Sequence, residues 1–142
     1  MSKVKTILAA LALGTTVALI GPAFAEKMKA TLDGKSEVPA TTSAGTGTAD
    51  IDYDAATKKL SWKLTYSGLS GPATMAHFHG PAEAGKNAGV AVPITNATSS
   101  PAEGSATLTD AQAADLVAGK YYVNVHTAAN PAGELRGQVV KK

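Results

Sequence analysis

Leu60-Ser61-Trp62-Lys63-Leu64-Thr65-Tyr66 alternates apolar and polar residues without a break. Side chains of an extended strand point to opposite faces in turn, so Leu60, Trp62, Leu64 and Tyr66 share one face and Ser61, Lys63 and Thr65 the other. A segment of this kind buries one side and wets the other, which is the condition of a strand in an antiparallel sheet. Ala49-Asp50-Ile51-Asp52-Tyr53 alternates in the same way, and the stretch from Asp54 to Lys59 supplies a turn between the two. The pattern predicts a hairpin.

The same period, punctuated by Gly, Pro, Ser and Asn, predicts further strands at Met28 to Leu32, Ala73 to His79, Gly89 to Ile94, Gly104 to Leu108, Tyr121 to His126 and Glu134 to Val140. One short helix is expected, where Thr109-Asp110-Ala111-Gln112 reads as a capping box and Gly119 stands ready to end the turn. The expected fold is all-β, a β-sandwich or flattened barrel of the Greek-key kind with about eight strands and one short helix. The loops Pro39 to Gly47, Pro81 to Gly89 and Asn96 to Gly104 are too short to separate domains.

Ahead of these strands, Lys3 and Lys5 precede an apolar stretch from Ile7 to Ile20, and Ala23-Phe24-Ala25 follows. A basic start, an apolar centre and an Ala-x-Ala site are the parts of a secretory signal peptide. The apolar stretch falls short of the roughly 20 residues that a spanning helix needs. Residues 1–25 are therefore expected to be cleaved, leaving residues 26–142 as a single domain, periplasmic or secreted and free of the membrane. Without Lys3 and Lys5, the 13 basic residues fall to 11 and balance the 11 acidic ones. That balance argues against a nucleic-acid partner.

The chain has no cysteine. This excludes disulfide scaffolds, thiolate metal sites and cysteine nucleophiles together. There is also no Gly-x-Ser-x-Gly elbow, no phosphate-cradling loop and no dinucleotide-binding glycine set. Chemistry is left to histidines, carboxylates, hydroxyls and methionine.

All three histidines fall inside two expected strands, His77 and His79 in Met75-Ala76-His77-Phe78-His79 and His126 in Tyr122-Val123-Asn124-Val125-His126. Two strand positions apart, His77 and His79 point the same way, with Cα atoms about 6.6 Å from each other. Both imidazoles can then reach one cation, and a sheet can set His126 beside them. Met75 shares the row, either as an added thioether ligand or as a core gap-filler. Imidazoles with no carboxylate among them suit copper first and zinc second. Glu37 and Asn124 are candidate partners for a ring nitrogen or braces for a loop, and Arg136 either steers an anion or pairs with a carboxylate.

Three stretches carry a resemblance: Leu32-Asp33-Gly34-Lys35-Ser36-Glu37-Val38-Pro39, Ala76-His77-Phe78-His79-Gly80-Pro81, and Tyr122-Val123-Asn124-Val125-His126-Thr127 running into Pro131-Ala132-Gly133-Glu134-Leu135-Arg136-Gly137-Gln138. They resemble the CHRD domain, a module named for its occurrence in chordin and also found in exported bacterial proteins. The resemblance implies a fold more than an activity. A fainter similarity runs to copper/zinc superoxide dismutases, whose copper is held partly by a His-x-His strand and a late Val-His strand, with an arginine following. His77, His79, His126 and Arg136 stand in that order, although the fourth histidine, the zinc-loop ligands and the dismutase cysteines are missing. What the resemblance implies is an immunoglobulin-like, dismutase-like Greek-key β-sandwich with a mononuclear copper site.

Three functions follow as expectations. The first is a single-copper carrier, buffer or resistance protein that uses His77, His79 and His126, with Met75 as an extra ligand and a copper-delivering or copper-accepting protein as partner. The second is a dismutase-like copper oxidoreductase in which Arg136 attracts superoxide. The third is a metal-free structural or interaction module whose histidines only pack.

Overall fold

The computed structural model describes residues 25–142, so the expected leader lies outside the described residues except for Ala25. Nine strands and one helix follow in order: β1 (Glu26–Asp33), β2 (Thr46–Asp54), β3 (Lys59–Ser67), β4 (Ala73–His79), β5 (Val90–Ile94), β6 (Ala102–Thr107), α1 (Asp110–Val117), β7 (Tyr122–Thr127), β8 (Leu135–Gln138) and β9 (Val140–Lys141). The protein is all-β. No helix among the described residues is long and apolar enough to cross a membrane.

The strands neighbour one another in the order β5-β4-β7-β8-β1-β2-β3-β6, with β9 added to β1, and every pairing is antiparallel. The outermost strands of this path, β5 and β6, also approach each other, so the sheet curls into a nearly closed sandwich. Neighbours distant in sequence, such as β4 with β7 and β1 with β8, give it the Greek-key character.

The interior follows from the alternation. Leu60, Trp62 and Leu64 of β3 face Phe78 of β4 across the core, and the Trp62 and Phe78 rings meet edge to face at 5.3 Å. Ala30, Leu32, Ile51, Val123, Val125 and Leu135 fill the space around them. Each such large apolar side chain contributes about 1.5–3 kcal/mol by leaving water. Gly104 of β6 lies against the indole, where an added Cβ would come within 2.7 Å of Trp62 Cζ2. A small residue is required there by the width of the tryptophan.

The predicted hairpin is β2–β3, closed by Asp54, whose Oδ1 accepts from the Ala56 and Thr57 amides. The helix starts at the expected capping box, with Thr109 Oγ1 accepting from the Gln112 amide and Gln112 Oε1 from that of Thr109. The single strand expected from Glu134 to Val140 is instead two pieces separated at Val139. Val139 turns into the core, its amide donating to the Tyr121 carbonyl, and the chain then crosses to pair with β1.

Candidate metal centre

The inner faces of β4 and β7 are apolar, so their alternate residues must point outward. Pairing sets Met75 across from His126, His77 across from Asn124 and His79 across from Tyr122. On the other side of β7, Asn124 stands opposite Arg136 of β8. Three neighbouring strands thus put Met75, His77, His79, Tyr122, Asn124, His126 and Arg136 on one outward face. That face is not open water. The loops 81–89 and 128–134 and the segment around Glu37 fold over it, and His79, Tyr122, Asn124, His126 and Arg136 are all buried.

The three histidines come together, each offering one ring nitrogen, and these nitrogens lie within 4.8 Å of one another. His77 Nδ1 is 3.1 Å from His126 Nε2. The far sides of the two buried rings decide which nitrogens are available. His79 Nδ1 faces the Ala88 carbonyl at 2.9 Å, and His126 Nδ1 faces the Pro131 carbonyl at 2.9 Å. A nitrogen facing a carbonyl oxygen carries the proton, so both rings donate from Nδ1 and turn a bare Nε2 lone pair toward the common centre. Ligating histidines are held this way, with the second nitrogen fixed by a carbonyl or carboxylate.

Protonation does not readily fill that centre. Burial holds the His77 imidazole below its ordinary pKa, and the nearby His126 and His79 rings lower it further. Burial likewise lowers His79, helped by His126 and Arg136 and opposed by the contacts with the Ala88 carbonyl and Asn124. At neutral pH the geometry presents lone pairs, which is what a cation needs.

The surrounding side chains hold the rings in place. Tyr122 stacks on His79 with centroids 4.8 Å apart and planes 1° from parallel, and its hydroxyl exchanges hydrogen bonds with the Ala88 backbone, whose carbonyl receives the His79 proton. Arg136, the only arginine in the sequence, places its guanidinium 3.5 Å from the Tyr122 ring centroid. It donates from Nη1 to Asn87 Oδ1 at 2.9 Å and from Nη2 to the Lys86 carbonyl, and is 2% exposed. The arginine therefore fastens the 81–89 loop over the site, through Lys86 and Asn87.

Glu134 does the same work for the other loop. Its carboxylate accepts from Thr127 Oγ1 at 2.5 Å, Ser70 Oγ at 2.6 Å, Ser43 Oγ at 2.7 Å, the Ser70 amide at 2.8 Å and Asn130 Nδ2 at 3.2 Å. Burial alone would raise its pKa, but these donors outweigh that and hold it at about 2. The anchored loop carries Pro131, the partner of His126. Met75 sits at the outer end of the row, 45% exposed.

A family model for the CHRD domain matches residues 28–139. The chain belongs to the CHRD family. No curated protein and no solved structure matches it significantly. The family match spans all three strands of the outward face, from Glu37 through the His77-x-His79 strand to Arg136.

Of the residues singled out from the sequence, His77, His79 and His126 meet, and Asn124 lies between them. Glu37 is buried behind Asn124, and Arg136 is engaged with a loop. Tyr122 and the carbonyls of Ala88 and Pro131 had not been singled out. Tyr122 was within reach of the strand argument, because it stands two residues before Asn124 and four before His126. Backbone carbonyls leave no trace in the order of side chains.

Proposed function

We propose that this CHRD-domain protein is exported and binds a single copper ion through His77, His79 and His126, acting as a copper carrier or buffer with a role in resistance to the metal. One observation carries the reading: two buried rings anchored through Nδ1 to the Ala88 and Pro131 carbonyls aim bare Nε2 atoms at the nitrogen of a third ring. Three imidazoles suit copper, with zinc next. The signal-peptide pattern supports a compartment outside the cytoplasm, where no cysteine is needed and copper is exchanged between proteins. His77 is half-buried and Met75 exposed, so a delivering or accepting protein meets the ion at this end of the row.

A carrier is better supported than a dismutase-like enzyme, because the Arg136 guanidinium that would draw an anion is already bonded to Lys86, Asn87 and the Tyr122 ring. Titration of purified protein with Cu(II), followed by metal analysis, tests the proposal. One ion per chain is expected, with uptake abolished by His77→Ala combined with His79→Ala. Stoichiometry unchanged in that double variant would overturn it.

A further inference from the structure

Asn124 occupies a place among the three rings that bracing alone does not explain. Its Oδ1 lies 2.9 Å from His79 Nε2 and 3.0 Å from His126 Nε2. Both rings already carry their proton on the far side, at Nδ1. An oxygen lone pair and two nitrogen lone pairs thus converge at contact distance with no hydrogen between them. In the protein alone this is a repulsive arrangement, and a cation at the centre turns it into coordination.

The spacing fits. Donor atoms about 2.0 Å from a common ion lie about 3.3 Å apart at the corners of a tetrahedron. Here two separations from Asn124 Oδ1 and one between His126 Nε2 and His77 Nδ1 are 2.9–3.1 Å, while the histidine nitrogens as a set lie within 4.8 Å, so an ion would draw the rings inward.

The other side of the carboxamide explains which end faces the histidines. Glu37 lies there, 6% exposed, with an Oε1 atom that reaches no donor at hydrogen-bonding geometry. An added Cβ at Gly133 would overlap Glu37 Oε1 and come within 2.8 Å of Asn124 Nδ2, so the two groups lie on either side of the same small gap. The Nδ2 end of the amide lies on the Glu37 side of that gap, which leaves Oδ1 toward the rings.

We infer that Asn124 Oδ1 is a fourth ligand of the ion held by His77, His79 and His126, oriented by Glu37, and that it makes the site selective for divalent ions over Cu(I). This rests on the histidine site proposed above. An amide oxygen is a hard donor that suits Cu(II) and Zn(II), whereas Cu(I) is held by soft sulfur. The one sulfur in the row, Met75, is 45% exposed, whereas Asn124 is buried among the rings.

Competition titrations of the wild-type protein, Asn124→Leu and Asn124→Asp with Cu(II), Zn(II) and, under anaerobic reducing conditions, Cu(I) test the assignment. Asn124→Leu keeps the volume and loses the donor. It is expected to weaken Cu(II) and Zn(II) binding about 10–100-fold while leaving Cu(I) within about twofold. Asn124→Asp is expected to retain Cu(II) and to change the parallel hyperfine coupling of its electron paramagnetic spectrum, because a charged oxygen replaces a neutral one on the ion.

Equal weakening of Cu(I) and Cu(II) in Asn124→Leu would overturn the assignment, since it marks a residue that only braces the rings. Should Asn124→Leu not fold, an Asn124→Asp spectrum identical to wild type would overturn it equally. A wild-type protein that takes up none of the three ions defeats the histidine site itself, an outcome distinct from wild-type uptake that is indifferent to residue 124.

Discussion

The two faces of β4 and β7 are made by the same residues in alternation and have opposite chemistry. Ala76, Phe78, Val123 and Val125 point inward and pack into the core, while His77, His79, Tyr122, Asn124 and His126 point outward. In most antiparallel sheets the second face is wet. Here loops cover it, and every residue of β7 is buried. The inner face gains stability from apolar area, whereas the outer face buries polar groups that need partners. Those partners are met at the edges, through Ala88, Pro131, Arg136 and Glu134. At the centre the polar groups meet only one another, and the three histidine nitrogens gathered there could hold a metal ion.

Substitutions on each face should therefore separate stability from metal uptake. Phe78→Ala, on the inner face, is expected to have the largest effect on folding, about 3–5 kcal/mol by chemical denaturation, because it removes a fully buried ring beside Trp62.

Glu134→Gln attacks the cover and should cost about 2–3 kcal/mol at pH 7, since an amide nitrogen must then face donors that a carboxylate accepts. The sign of the pH effect follows from a folded pKa of about 2 against an ordinary 4.5. The stabilisation is fully present above about pH 4.5 and is lost as pH falls toward 2. The gap between wild type and Glu134→Gln in denaturation experiments should narrow across that window. A constant gap would show that the carboxylate charge is not what holds the loop.

Gly133→Ala sharpens the contrast further. Gly133 has φ of 132°, where a side chain is strained, and its Cβ would enter the space of Glu37 and Asn124. About 1–2 kcal/mol of stability is expected to go, together with weaker Cu(II) binding in the same titration. Unchanged binding would detach the Glu37–Asn124 pair from the site. His77→Ala should move stability least, by no more than about 0.5 kcal/mol, because the ring is half-buried and bonded only to its fellow histidine. Its Cu(II) uptake should nonetheless be lost or sharply reduced.

Much of this arrangement is legible in the sequence, for reasons the two faces make plain. Period-two alternation identifies β2, β3 and β4 because one side of each strand is apolar and the other polar. The His77-x-His79 spacing places both rings on one side for the same reason. The cover is not legible. Loops 81–89 and 128–134 directly follow β4 and β7, yet nothing in the alternation of these strands reports that the loops fold back over them. Arg136 reads as a polar residue on an exposed face until the loop to which it bonds is seen. The break at Val139 is equally hidden, since Glu134 to Val140 has the composition of one strand.

The central claim is that lone pairs from two strands and one amide converge on a single cation. Anomalous diffraction from crystals grown with Cu(II) tests it most directly. The expected result is one strong peak per chain, about 2 Å from His77 Nδ1, His79 Nε2 and His126 Nε2. A peak elsewhere on the molecule, or none with these rings ordered as they stand, would contradict it.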